Sequence, residues 1–250
     1  MRHRSQIARL PGRSTGLART GLFFALLLST ASSLPSWAQT NDLEGFTLAR
    51  LKYDGGGDWY DGTTSLPNLA RALKERTTIP ISRLDEARVS ILDPDFFNYP
   101  WIYMNGHGNV RFTDAEVARL RTYLLNGGFL FANDDYGMDS AFRREIARVF
   151  PDRKLTPIPF DHPIYHCFYD FSQGPPKIME HDKLPSQGLG IFDGKRLLVF
   201  YVYQTDIDDG LEDPQAHGVP ENLRAEAMKM AINTVVYALT RPDGFRAEVP

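Results

Sequence analysis

Cysteine is nearly missing from this chain. Cys167 is the only one in 250 residues, so no disulfide can form within the chain in any compartment. Burial statistics favour a small apolar side chain over a nucleophile at such a position. Also absent are the phosphate-cradling P-loop, a GxGxxG after a strand, a GxSxG elbow and paired cysteines, so nothing supports nucleotide-dependent chemistry. There is no internal repeat and no low-complexity tract. Long hydrophobic runs are scarce too. The densest apolar part, Gly21 to Leu28, is shorter than the roughly 20 residues a membrane span needs.

What is present at the start is a leader. Arg2, Arg4, Arg9, Arg13 and Arg19 occur without an acidic residue, GLFFALLLSTASSL follows, and Ser36-Trp37-Ala38 ends in a small-x-small pattern. These features predict a secretory signal cleaved near Ala38-Gln39, with an uncleaved N-terminal anchor as the alternative. No Arg-Arg pair precedes the apolar core, which points to the general export route, and no cysteine near the cut marks a lipoprotein. A periplasmic or secreted protein with no membrane span after cleavage is the expectation. Losing five arginines and no acid takes the formal charge from −3 to −8, which argues against nucleic acid or an anionic membrane as partner. The expected organisation is a signal peptide over 1–38, a short linker over 39–45, one α/β domain over 46–240 and a C-terminal tail over 241–250.

Along the mature chain, FTLARLKYD (Phe46 to Asp54) alternates and reads as the first strand, followed by the glycine-rich GGGDWYDG. Ser65 is the expected N-cap of a helix whose Leu66, Leu69, Ala70 and Leu73 share a face. A short strand near Arg88 to Leu92 and the apolar run WIYMN come next. Thr113-Asp114-Ala115-Glu116 is a capping box, and Asn126-Gly127-Gly128 stops the helix it opens. GFLFAN reads as another buried strand, and a helix carrying Phe142, Ile146, Val149 and Phe150 follows. KLTPIPFDHPIYHCFYDF reads as edge strand plus loop, LGIFDGKRLLVFYVYQTD as a hairpin turning at Asp193-Gly194, and ENLRAEAMKMAINTVVYALT as a closing helix. Strand and helix in alternation with short connections predict a three-layer α/β sandwich around a doubly wound, mostly parallel sheet.

In such a sheet ligands bind beyond the carboxyl ends of the strands. That rule gathers Asp54 with the glycine-rich loop, Asn105 and His107, and Asn133 with Asp134 and Asp135 at one edge. Thr205-Asp206 joins them if its strand runs parallel, while Trp59 and Tyr136 are added as aromatic ligand-binding candidates. Glycines flank His107 and permit close approach of a ligand or of another chain. The adjacent carboxylates of Asp134 and Asp135 require a metal, a basic partner or solvation, although aspartates also serve as turn formers. In DHPIYH a helical turn would set His162 and His166 at a metal-binding spacing, whereas Pro163 favours a path that leaves both to packing. A divalent metal on His107, Asp134, His162 and His166 is thus one reading of these residues. The acidic stretch from Asp206 to Gly218 lacks the order of a calcium loop and is expected to be solvated surface.

YPWIYMNGHG, TDAEVARLRTYLLNGGFLFANDD, FPDRKLTPIPFDHPIYHCFY and GLGIFDGKRLLVFY together resemble the bacterial family known as domain of unknown function 4159, from about Phe46 to Thr240. The resemblance implies a class I glutamine amidotransferase-like fold, also used by trehalose-utilisation-type proteins. Some members form the exported end of membrane proteins near von Willebrand-type and MoxR-type ATPase partners. Where amidotransferases place a cysteine nucleophile, the matching turn here is Asn133-Asp134-Asp135-Tyr136-Gly137. Cys167 lies elsewhere, so glutaminase activity is not expected. Two functional expectations stay open. One is a ligand-binding or accessory envelope protein for a small molecule, glycan or envelope protein. The other is a metal-assisted hydrolase using His107 with Asp134 and Asp135.

Overall fold

A seven-stranded sheet in the order β2-β1-β3-β4-β7-β6-β5 organises the computed structural model, which describes residues 45–240. The expected signal peptide, most of the linker and the tail lie outside the described residues. The first strand, β1 (Ala49–Lys52), is shorter than its alternating stretch suggests, with Asp54 making only an isolated bridge to Arg111. It pairs in parallel with β2 (Ala87–Ser90) on one side and β3 (Trp101–Met104) on the other. Parallel pairing continues through β4 (Phe129–Asn133) to β7 (Arg196–Tyr203). The antiparallel β6 (Gln187–Asp193) and the two-residue β5 (Thr156–Pro157) complete the edge. Proline in β5 costs nothing there because an edge strand leaves one row of amides unpaired.

The helices divide into two layers. α1 (Ser65–Arg76), α4 (Ile207–Leu211) and α5 (Glu221–Thr240) cover one face, where Trp101, Tyr103, Phe129 and Phe131 point. α2 (Asp114–Leu125) and α3 (Asp139–Val149) cover the other, against Ile102, Met104, Leu130 and Ala132. Every residue of β3 and β4 is buried. The alternation of the two sets along each strand is the period of two that sends successive side chains to opposite faces. Fully burying one such leucine or phenylalanine contributes on the order of 2 kcal/mol.

Local chemistry explains the helix ends. Thr113 and Glu116 make the reciprocal capping box at α2, and Gly127, at φ 102, lets the chain turn out of that helix. Ser65, expected as an N-cap, is instead the first residue of α1, and Thr64 caps it without a side-chain bond. The Ser65 hydroxyl is used elsewhere: it donates to Gly62 O and accepts from Arg50. Among the described residues no helix is long and apolar enough to cross a membrane.

Candidate functional site

The sheet reverses its winding between β1 and β3, because the chain leaves β1 to build β2 on one side and returns to β3 on the other. The loops after these two strands therefore diverge and open a crevice, the usual place for a ligand in an open α/β sheet. β4 and β7 end at the same edge.

Arg50, on β1, fixes the floor of this edge. It is fully buried, and its five N–H donors all find oxygen. Nε donates to Glu86 (2.9 Å), Nη1 to Asp61 O (2.7 Å) and to Asn105 Oδ1, and Nη2 to Gly62 O (2.8 Å) and Ser65 Oγ (2.9 Å). The side chain thus ties the loop after β1 to the end of β3.

Beside it lie carboxylates from β4 and from the segment after β7. Asn133 donates through one amide nitrogen to Asp135 (2.5 Å) and to Asp206 (3.1 Å), while Asn105 donates to the other oxygen of Asp135 (2.9 Å). Burial, reinforced by Asp206 and Asp208, pushes the Asp135 carboxyl well above the usual carboxylate range. Burial raises Asp206 in the same way. Two ionised groups sharing one amide in a dry pocket repel, which disfavours the doubly ionised pair. Asp208 accepts from the Tyr103 hydroxyl (2.7 Å), and burial outweighs the pull of Arg50 to bring it to about 7. Asp134 accepts the Met138 amide (2.7 Å), and burial raises it to about 6.

The stretch expected to be solvated is therefore not. Asp206 and Asp208 are almost fully buried, and Ile207–Leu211 forms α4. Their charge is accommodated by Asn133, Tyr103 and Arg50, partners that stand far away in sequence. Backbone strain gathers at this edge as well. Among the described residues the non-glycine positions with positive φ are Tyr136 (123°), Lys183 (59°), Gln204 (61°) and Asp206 (58°). Tyr136 follows β4, Gln204 and Asp206 follow β7, and Lys183 precedes β6, whose first residue pairs with Tyr203 at the end of β7. Asp182 links them: it accepts from the Tyr136 hydroxyl (3.1 Å) and from the Gln204 amide (2.6 Å). Non-glycine residues in such conformations cost roughly 1–3 kcal/mol each.

His107 stands at the rim, bridged through its backbone to Tyr136. Its amide donates to Asp58 Oδ1 (2.5 Å), and its Nδ1 lies 3.1 Å from Asp58 Oδ2 and 3.6 Å from Asp61 Oδ2. Each of the three residues offers a ligand atom, with all of these atoms within 4.8 Å of one another. The glycines permit this approach: a Cβ on Gly57 would meet His107 O at 2.7 Å and Asn109 O at 2.9 Å. Of the residues proposed from the sequence, Asn105, His107, Asp134, Asp135 and Tyr136 come together here. Trp59 belongs to the same loop, but its ring lies against Lys52 and Arg88.

His162 and His166 sit at the opposite edge of the sheet. His162 lines a cavity of about 900 Å³ with Phe192, Tyr237 and residues of the β6–β7 turn, and its Nδ1 accepts from the Ile164 amide (3.2 Å). Pro163–Tyr165 forms a single 3-10 turn. His166 uses both ring nitrogens, on Asp170 and on Phe160 O. Cys167 lines the same cavity and donates to Asn233 O, and burial pushes its thiol up to about 11, far from the thiolate a nucleophile needs. This cavity exceeds in volume the crevice features near Asp134 (about 270 Å³). Yet none of its charged lining residues, Asp161, Asp193, Lys195 and Arg196, is buried and none of the strained residues borders it. Volume alone does not locate the chemistry.

A family model described as "Domain of unknown function (DUF4159)" matches residues 47–239. The chain belongs to this family. The match takes in all seven strands and every DUF4159 residue placed at the strand-end edge above. No curated protein matches the chain. Sequence reasoning missed Arg50, Asp58, Asp61 and Asp208 as parts of the candidate site of this DUF4159 domain. Asp206, expected to join if its strand ran parallel, does so because β7 pairs in parallel with β4. One signal was available: an arginine inside the apolar strand LARL must find a buried acid or carbonyl partner.

Proposed function

We propose that the protein is an exported ligand-binding domain of the bacterial envelope, whose ligand occupies the crevice at the carboxyl ends of β1, β3, β4 and β7. The observation that carries this reading is the collection of four strained non-glycine residues on one edge of the sheet. A fold tolerates that strain where the surrounding structure holds a functional geometry in place. Tyr136 is half exposed and follows the buried Asp134 and Asp135 in sequence, and it offers an aromatic ring beside hydrogen-bonding groups, the combination that binds a sugar ring or an amine. Because the rim and floor are acidic, the favoured ligand is a neutral or amine-bearing glycan rather than an anionic one. The leader of Arg2 to Ala38 supports export to the envelope.

The test is binding of neutral, amine-bearing and anionic envelope glycans by calorimetry. Binding of the first two, lost in Tyr136→Ala, is expected; a preference for the anionic set would sink the reading. A metal-assisted hydrolase using His107 with Asp134 and Asp135 is the second reading. The observation in its favour is that burial brings Asp134 to about 6, where a carboxyl exchanges protons near neutrality. Turnover of ester or glycoside substrates, abolished in Asp134→Asn, would decide for it.

A further inference from the structure

We propose that Asp58, Asp61 and His107 form a binding site for a single first-row transition-metal dication, of the zinc or manganese kind. This deepens the ligand-binding reading of the same edge and rests on the crevice identified there. Position supports it first. Asp58 and Asp61 come from the loop after β1 and His107 from the loop after β3, so the three residues straddle the point where the sheet reverses its winding.

Geometry supports it next. The Nδ1 of His107 stands 3.1 Å and 3.6 Å from the two carboxylate oxygens. Ligands about 2.1 Å from a tetrahedral ion lie about 3.4 Å from one another, so little movement is needed to seat one. The second oxygen of Asp58 is already held by the His107 amide (2.5 Å), the kind of outer hydrogen bond that aims a ligating carboxylate. Asp61 is held through its own carbonyl, which accepts from Arg50 (2.7 Å) and from the Asn105 amide (3.3 Å). The glycine contacts between the two loops give the cluster a rigid backbone.

Chemistry chooses the ion. Imidazole with carboxylates suits zinc or manganese, whereas calcium and magnesium prefer oxygen alone. The side chains of Asp58, Asp61 and His107 are 34%, 46% and 47% exposed, so solvent reaches one side. Three protein ligands with an open position is the arrangement that lets an ion hold water or an oxygen of a bound ligand. The ion would replace the proton on Nδ1 that otherwise bridges to Asp58, and the crevice would gain a centre for hydroxyl groups of the glycan.

The experiment titrates ZnCl2, MnCl2, CaCl2 and MgCl2 into the chelator-stripped full chain by calorimetry, with thermal melts in parallel. One equivalent of zinc or manganese is expected to bind and to raise the melting temperature. Affinity is expected to fall at least about tenfold in His107→Gln and in Asp58→Asn. Asp58→Asn keeps an oxygen for the His107 amide and so guards against misfolding. His162→Ala is expected to bind as the parent does. No uptake, uptake unchanged in His107→Gln, or uptake of calcium alone each overturns the proposal. Glycan binding measured in chelator separates the two ideas. Glycan bound without any metal uptake sinks the ion and leaves the crevice; metal bound without glycan does the reverse.

Discussion

The two edges of the sheet treat their charged residues differently. At the carboxyl edge the loops bury Asp134, Asp135, Asp206 and Asp208 around Arg50 and two asparagines. At the amino edge, prolines 157 and 159, Phe192 and Tyr237 surround an open cavity of about 900 Å³ whose charged lining residues, Asp161, Asp193, Lys195 and Arg196, all reach solvent. None of the strained non-glycine residues found among the described residues lies at the second edge. The difference teaches that concavity and preorganisation are separate properties. An empty space follows from how a hairpin meets a helix, whereas strained backbone and buried charge persist only where the rest of the fold opposes their cost.

Removing the anchor of the carboxyl edge is the strongest way to break this contrast. Arg50→Met leaves Glu86, Asp208 and two carbonyls without their cation. Loss of one partner from a buried charged network costs about 3–5 kcal/mol, visible as an earlier midpoint in urea unfolding. Arg50→Lys is expected to rescue little of it, since an ammonium cannot span the five oxygens that the planar fork reaches.

Acidity probes the same edge more gently. Asp134 has a folded value near 6, raised by burial above the ordinary carboxylate value. Between about pH 4 and pH 6 the unfolded chain sheds this proton while the folded chain keeps it, so stability falls as the pH rises. The loss is on the order of 3 kcal/mol for Asp134. Asp208, at about 7, extends the decline toward neutrality. The ligand-free protein is expected to melt higher at pH 5 than at pH 8, and Asp134→Asn, which keeps the oxygen that accepts from Met138, is expected to shallow that slope. A flat profile in the parent would contradict the burial of these protons.

Tyr136→Gly has a smaller effect of unusual sign. Glycine adopts φ 123 freely, so this substitution is expected to stabilise the fold by about 1 kcal/mol while abolishing glycan binding. At the amino edge, effects should nearly vanish. Cys167 is expected to resist iodoacetamide at pH 8, given a thiol raised to about 11 by burial. Rapid labelling of the native protein would show that this edge is not packed as described.

Much of the architecture was legible because it depends on neighbours in sequence. The capping box at Thr113, the stop at Gly127 and the buried runs of β3 and β4 are all local signals, and the structure contains each. The carboxyl-edge placement of His107 and Asp135 also followed from topology. What stayed hidden depends on distant partners. Asp208 is buried because Tyr103, 105 residues earlier, donates to it, and Asp206 because Asn133, 73 residues earlier, does. Read locally, an acidic run signals solvent. Asp58 and Asp61 were overlooked for a related reason: their significance comes from a loop that meets theirs only in the folded sheet.

The fivefold hold of Arg50 bears on motion. A segment whose carbonyls at Asp61 and Gly62 are fastened to the central sheet cannot swing as a lid, since opening would strand a buried guanidinium. Amide exchange around residues 61–65 should therefore track unfolding of the whole sheet rather than local breathing. Entry to the crevice must come from the opposite bank, past the half-exposed ring of Tyr136.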